Sequence, residues 1–203
     1  MTPAELVSRA LTQRDQGEYQ LGAGGWDPKR PHTTFGPHWK TGKVGSDCSR
    51  FAICWALKLA GHRPGFGKGK GARVVDDINS DSALFDAIHN HELFELVEGP
   101  PQMGDHLIMP SYFDPKTGER NDIGHVMLVT KNNAIEWDHK ILPRPWERVE
   151  VVQCRGPNGK RPGVIVSSAA VCAAHDAKWV KVPSMWTQVI RVRADVLAAI
   201  PAG

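Results

Sequence analysis

The chain has only four cysteines, Cys48, Cys54, Cys154 and Cys172, and no two of them form a CxxC pair. So few, so scattered, argue against a disulfide framework and leave free thiols as the expectation. No run of about 18 apolar residues occurs, so no membrane-spanning helix is expected. The first residues, MTPAELVSRALTQRDQG, have neither the basic segment nor the apolar core of a secretory leader, and no signal peptide is expected. Charge of one sign is also scarce. With 25 Lys and Arg against 22 Asp and Glu, the net charge is +3 and the pI about 8.7. That excess is too small to imply a nucleic-acid partner, although it is compatible with an anionic polymer. There is no internal repeat and no low-complexity segment. What remains is ordinary for a globular protein, 203 residues with 41% hydrophobic and 23% charged side chains, and a single domain spanning 1–203 is expected.

Periodicity divides that domain into a helical and loop half over 1–92 and a sheet half over 93–193. Thr2, Pro3 and Glu5 read as a helix start, with Leu6, Ala10 and Leu11 forming one apolar stripe. Residues 19–45 are crowded with Gly, Pro and Trp and read as a long shaped loop. From Ser46 or Asp47 to Ala60 the sequence SDCSRFAICWALKLA predicts a buried central helix stopped by Gly61, with Cys48 in its first turn. A basic, glycine-rich loop (62–73) follows, then a shorter helix over Ser82–Asn90 behind the caps Ser80 and Asp81. From Leu93 the period changes. LFELVE, HLIMP, HVMLVT, NAIEW, VEVVQC, GVIVSS, KWVKV and TQVIRV, separated by turn signals, predict six to eight strands. Helices first and strands afterwards indicate an α+β domain with an antiparallel sheet of about six strands.

Cys48 is the strongest chemical signal. A thiol reacts as thiolate, and the dipole and free N–H groups of a helix start can lower its pKa, which makes this position a candidate nucleophile; the alternative reading is a small buried hydrophobe. Cys54, Cys154 and Cys172 read as core. A nucleophilic cysteine needs a base, and His125, opening the apolar strand in DIGHVMLVT, sits on a rigid mount. The base in turn needs an orienting group. Gln153 lies inside the following strand, where its amide oxygen can accept the proton of the second ring nitrogen.

Taken together, GSDCSRF, QMGDHLIM, GHVMLV and VVQCRGPNGKRPGVIV, in that order, resemble the NlpC-type cell-wall peptidases over roughly residues 19–168. The resemblance implies a papain-like fold with the nucleophile at a helix start packed on the sheet. It also implies a catalytic set of Cys48, His125 and Gln153, in the roles of nucleophile, base and orienting residue. Asp47 and Ser49 would help receive the free amine of a stem peptide, and Tyr19, ahead of a glycine pair in YQLGAGG, would point its hydroxyl into the cleft. Three features depart from the family pattern. Arg50 replaces the usual glycine, so it would narrow the groove beside Cys48 or make it more basic; Gln153 replaces the common histidine; and AIEWDHKILPRPWERVE lengthens the link between the two strands. His139 and His175 are the alternative third residues.

On this resemblance the chain is expected to hydrolyse an amide bond of bacterial peptidoglycan as a monomer, most simply as an endopeptidase on the stem peptide. No cofactor and no metal are called for. Alternatives are an amidase cutting between sugar and peptide, a cysteine deamidase or transferase toxin, and a non-catalytic wall-binding phage protein. Without a leader, delivery to the wall is expected by phage lysis, in a virion or by injection.

Other features read as structural. GHRPGFGKGKGAR lacks the GxxxxGK[ST] spacing of a phosphate loop. His89, His91 and Glu92 read as a solvated helix end rather than a zinc site. Asp105 reads as a turn former. Trp26 and Trp39 are candidates to line a sugar or peptide cleft.

Overall fold

The computed structural model describes residues 1–38, 40–59, 79–113, 116–117, 120–122, 124–134, 136–155 and 163–201. Gly61, the basic loop over 62–73 and Trp39 lie outside these residues. The first helix, α1 (Pro3–Leu11), begins as expected: Thr2 accepts from the Glu5 amide while the Glu5 carboxylate accepts from the Thr2 amide. Leu6, Val7 and Ala10 form its buried face. Leu11 was expected in that stripe but, as the last residue of the helix, is 36% exposed, and Val7 joins the buried face instead. The long loop that follows contains a small hairpin, β1 (Gly36–Pro37) and β2 (Val44–Gly45).

Cys48 and Ser49 open the central helix, which continues as a wide π turn over Arg50–Trp55. Its width shows in the bond from the Ala56 amide to the Phe51 carbonyl, five residues back. All six side chains of Arg50–Trp55 are buried. The next helix runs through α2 (Ser80–Phe85) and a π turn over Asp86–Asn90. Its cap is Asn79 rather than Ser80 or Asp81, with Asn79 and Ser82 exchanging side-chain and backbone bonds. Asp86, buried, then accepts from the amides of Glu92, Leu93 and Phe94 and so turns the chain into the sheet.

The sheet is antiparallel throughout. Its strands are β3 (Phe94–Leu96), β4 (His106–Met109), β7 (His125–Asn132), β8 (Val149–Arg155), β9 (Gly163–Ser168) and β10 (Gln188–Val192). They run in the order β3-β10-β4-β7-β8-β9. A separate hairpin, β5 (Tyr112–Phe113) with β6 (Arg120–Asp122), lies between β4 and β7 in sequence. Six of the eight expected strands therefore form. The described residues of NAIEW lie in no strand, because the Asn132 side chain accepts from the Ala134 amide and ends the ladder. KWVKV forms none either: Lys178 closes α3 (Ala170–Lys178), and the Trp179 amide still bonds back to His175 and Asp176. A last short helix is α4 (Ala194–Ala199). Among the described residues, no helix is long and apolar enough to cross a membrane.

Alternation along the strands sends side chains to two covered faces. Val126, Leu128, Val152 and Cys154 meet α1 and the central helix through Leu6, Phe51 and Trp55. Met127, Val129, Val149 and Val151 meet Trp146 and the α3 residue Cys172. The second layer is tied by charge. Asp176, 2% exposed, accepts from Arg144 at 2.6 Å and Trp146 at 2.8 Å with one oxygen, and from the Thr187 amide at 2.6 Å with the other. Removing one partner of such a buried pair leaves an uncompensated charge. Asp176→Ala should lower the unfolding free energy by about 3–5 kcal/mol in urea titration. Breaking the exposed Asp27–Arg30 pair should cost under about 1 kcal/mol.

Candidate active site

Asp47 fixes the start of the central helix. Its buried carboxylate accepts from the Arg50 amide at 2.7 Å and the Ser49 hydroxyl at 2.9 Å, and its other oxygen accepts from the Gly22 amide at 2.8 Å. The last bond holds the 19–25 loop against the helix, where Tyr19 bridges to Ser46. Gly24 and Gly25 make that approach possible. Both have positive φ, and a Cβ on Gly24 would lie 2.4 Å from the Thr34 carbonyl oxygen.

Cys48 packs at the sheet end. The backbone amides of Val126, Ser49 and Cys48 itself all favour the anion of its sulfur. Val126 is the second residue of β7, so the strand that carries His125 meets the thiol at its first turn. Just before the strand the chain is packed tightly against α2 and the segment after β4: a Cβ on Gly124 would fall 2.7 Å from Ser80 Oγ and 2.8 Å from Ser111 Oγ. On the opposite strand face, His125 Nε2 donates to Gln153 Oε1 at 2.7 Å, and Gln153 Nε2 donates to Ser167 Oγ at 2.8 Å. Asp47 is near enough to raise the pKa of both Cys48 and His125.

The electrostatics reverse one expectation. Cys48 is 7% exposed, and burial, reinforced by the Asp47 charge, pushes its thiol up to about 12 despite the three amides. Loss of water outweighs the helix start. Burial likewise draws the His125 imidazole below its ordinary value, with Gln153 opposing and the Arg155 cation adding to the fall. Burial thus favours the uncharged form of each group, a thiol at Cys48 and a neutral imidazole at His125. Because Gln153 Oε1 can only accept, the imidazole carries its hydrogen on Nε2 and a lone pair on Nδ1.

The remaining candidates divide. Gln153, 1% exposed, is the residue that meets His125. His175 is bonded instead to the Met185 carbonyl, and His139 lies in the turn after Asp138. Arg50 does not line an open groove. It is 4% exposed, lies against Gly25 and donates to Cys54 Sγ at 3.6 Å. The Asp47 and Ser49 polar atoms serve the helix cap. Trp26 packs at the first core with Arg9 stacked over it, while Asp105 holds Arg191 through two bonds. Ser167 was not singled out from the sequence. The register pairing Cys154 with Val164 and Gln153 with Ile165 puts Ser167 on the Gln153 face, a signal available only once the hairpin register is known.

No protein-family model matches the chain, and neither a curated protein nor a solved structure matches it.

Two pH responses follow. Site-resolved alkylation of Cys48 should accelerate steadily from pH 8 to beyond about 10 with no plateau near neutrality; a plateau at pH 7 would reveal a thiolate at rest. Cys48, Cys154 and Cys172 all have raised folded pKa values. Their stabilisation is complete below the unfolded thiol value of about 8.5 and is lost as pH climbs through the folded values. The unfolding free energy should therefore fall above pH 8.5, by up to about 1.4 kcal/mol per unit for each thiol. Cys172→Ala should flatten that slope.

Proposed function

We propose that the chain is a papain-like cysteine hydrolase, resembling the NlpC-type cell-wall peptidases, that cleaves an amide bond in the stem peptide of bacterial peptidoglycan. One observation supports this best: the His125–Gln153 bond lies at the end of the strand whose next amide, Val126, meets the Cys48 sulfur. In this reading Cys48 is the nucleophile, His125 the base and Gln153 the orienting residue, and what supports it is that the Val126 amide at the Cys48 sulfur directly follows His125 on β7.

In this reading Cys48 attacks as the thiol, and His125 Nδ1 takes its proton during attack instead of before it. The carbonyl oxygen becomes an oxyanion, for which backbone donors such as the Cys48 amide are suited. The protonated His125 passes its proton to the leaving amine. Water then enters and attacks the acyl carbon while giving a proton to His125; the carbon–sulfur bond breaks, the acid is released and His125 returns that proton to the Cys48 sulfur. Gln153 orients the ring without taking a proton. The small positive charge suits an anionic wall polymer, and phage lysis, a virion or injection would bring the protein to it.

The burial of Cys48 favours a second reading, a wall-binding module without turnover. Purified peptidoglycan digested with wild type and Cys48→Ala, followed by mass spectrometry, separates the two. New amine ends within stem peptides, lost by at least about a thousandfold in Cys48→Ala, are expected. Release of whole stems would indicate the amidase alternative, and no turnover by wild type would leave the binding or toxin readings.

A further inference from the structure

We propose that Ser167 is a positioning residue that fixes which nitrogen of His125 carries the hydrogen; this rests on the Cys–His hydrolase reading above. A glutamine amide has unlike ends, an oxygen that only accepts and a nitrogen that only donates. Here the oxygen faces His125 Nε2 at 2.7 Å and the nitrogen faces Ser167 Oγ at 2.8 Å. Turned end for end, the amide would donate to the ring. Nε2 would then have to accept, the ring hydrogen would move to Nδ1, and no lone pair would be left there to take the thiol proton.

Gln153 is 1% exposed, so its N–H groups cannot turn to water for a partner. Ser167 sits on the edge strand β9, diagonal to Gln153 across the ladder and half-buried. Its lone pair faces the buried amide while its own O–H can be satisfied from the solvent side. The hydroxyl thus supplies the acceptor that holds the amide nitrogen away from the ring. Without it, the amide gains nothing by keeping its oxygen toward His125.

Long-range proton–nitrogen NMR on the 15N-labelled protein reads the tautomer directly, with the His125 signals assigned by their loss in His125→Asn. Wild type should show hydrogen on Nε2. Ser167→Ala should shift His125 toward the Nδ1–H form or a mixture, and Ser167→Thr, which keeps the hydroxyl, should restore the wild-type pattern. On peptidoglycan, Ser167→Ala should lower kcat by about 10- to 100-fold, the usual effect of losing an orienting partner, with KM unchanged and Thr again restoring it. An Nδ1–H ring in wild type, or an unchanged tautomer in Ser167→Ala, would overturn the assignment. The NMR arm needs no turnover, so a wild type that leaves the wall intact would sink the hydrolase reading while the tautomer result stands or falls separately.

Discussion

The Asp47 carboxylate anchors the site because three separate parts of the chain donate to it: the Gly22 loop, the Ser49 hydroxyl and the Arg50 amide. A buried carboxylate is tolerated only when its lone pairs are met, so the loop, the helix start and the charge are mutually dependent. The bond to Arg50 sets where the helix begins and hence where Cys48 points. The bond to Gly22 brings the glycine pair within contact of Arg50 and Thr34. The same charge is felt by Cys48, Cys154 and His125, so the electrostatics of the sheet end are tied to the helix cap.

That arrangement decides the resting protonation state. A helix start offers a thiolate at most a few oriented amides, whereas burial removes its hydration altogether and Asp47 adds a like charge. The first effect is the one readable from the sequence; the second and third appear only when the helix is seen pressed on β7 and β8. An anion at Cys48 is therefore costly until something else approaches the sulfur. In the proposed mechanism that something is the substrate carbonyl, which accepts the electron pair as the proton leaves.

The sheet was legible because its strands are short, apolar and bounded by turn residues, and the capping box of α1 because its residues act over four positions. The placement of Cys48 at a helix start, of His125 at the head of a strand and of Gln153 within the next one was legible from the local pattern. What was not legible depends on contacts remote in sequence. KWVKV alternates like a strand, but Asp176, five residues before its last lysine, is drawn inward by Arg144 and Trp146 and keeps the segment helical at its start. Arg50, read as a groove residue beside Cys48, is turned inward because a helix this thoroughly buried leaves it no outer side. Ser167 became meaningful only through the β8–β9 register.

In the proposed mechanism, a glutamine as third residue suits these directions. A carboxylate at position 153 would stabilise an imidazolium and, through it, a thiolate, favouring a charged pair at rest. An amide offers only a dipole, and Arg155 adds a cation nearby that opposes protonation. His125 accordingly stays neutral and Cys48 stays a thiol. A neutral relay has one structural requirement that a charged one lacks. A carboxylate presents two equivalent acceptors whichever way it is turned, but an amide works in one orientation alone. The glutamine therefore needs a further hydrogen-bonding residue behind it, and on β9 Ser167 occupies that place.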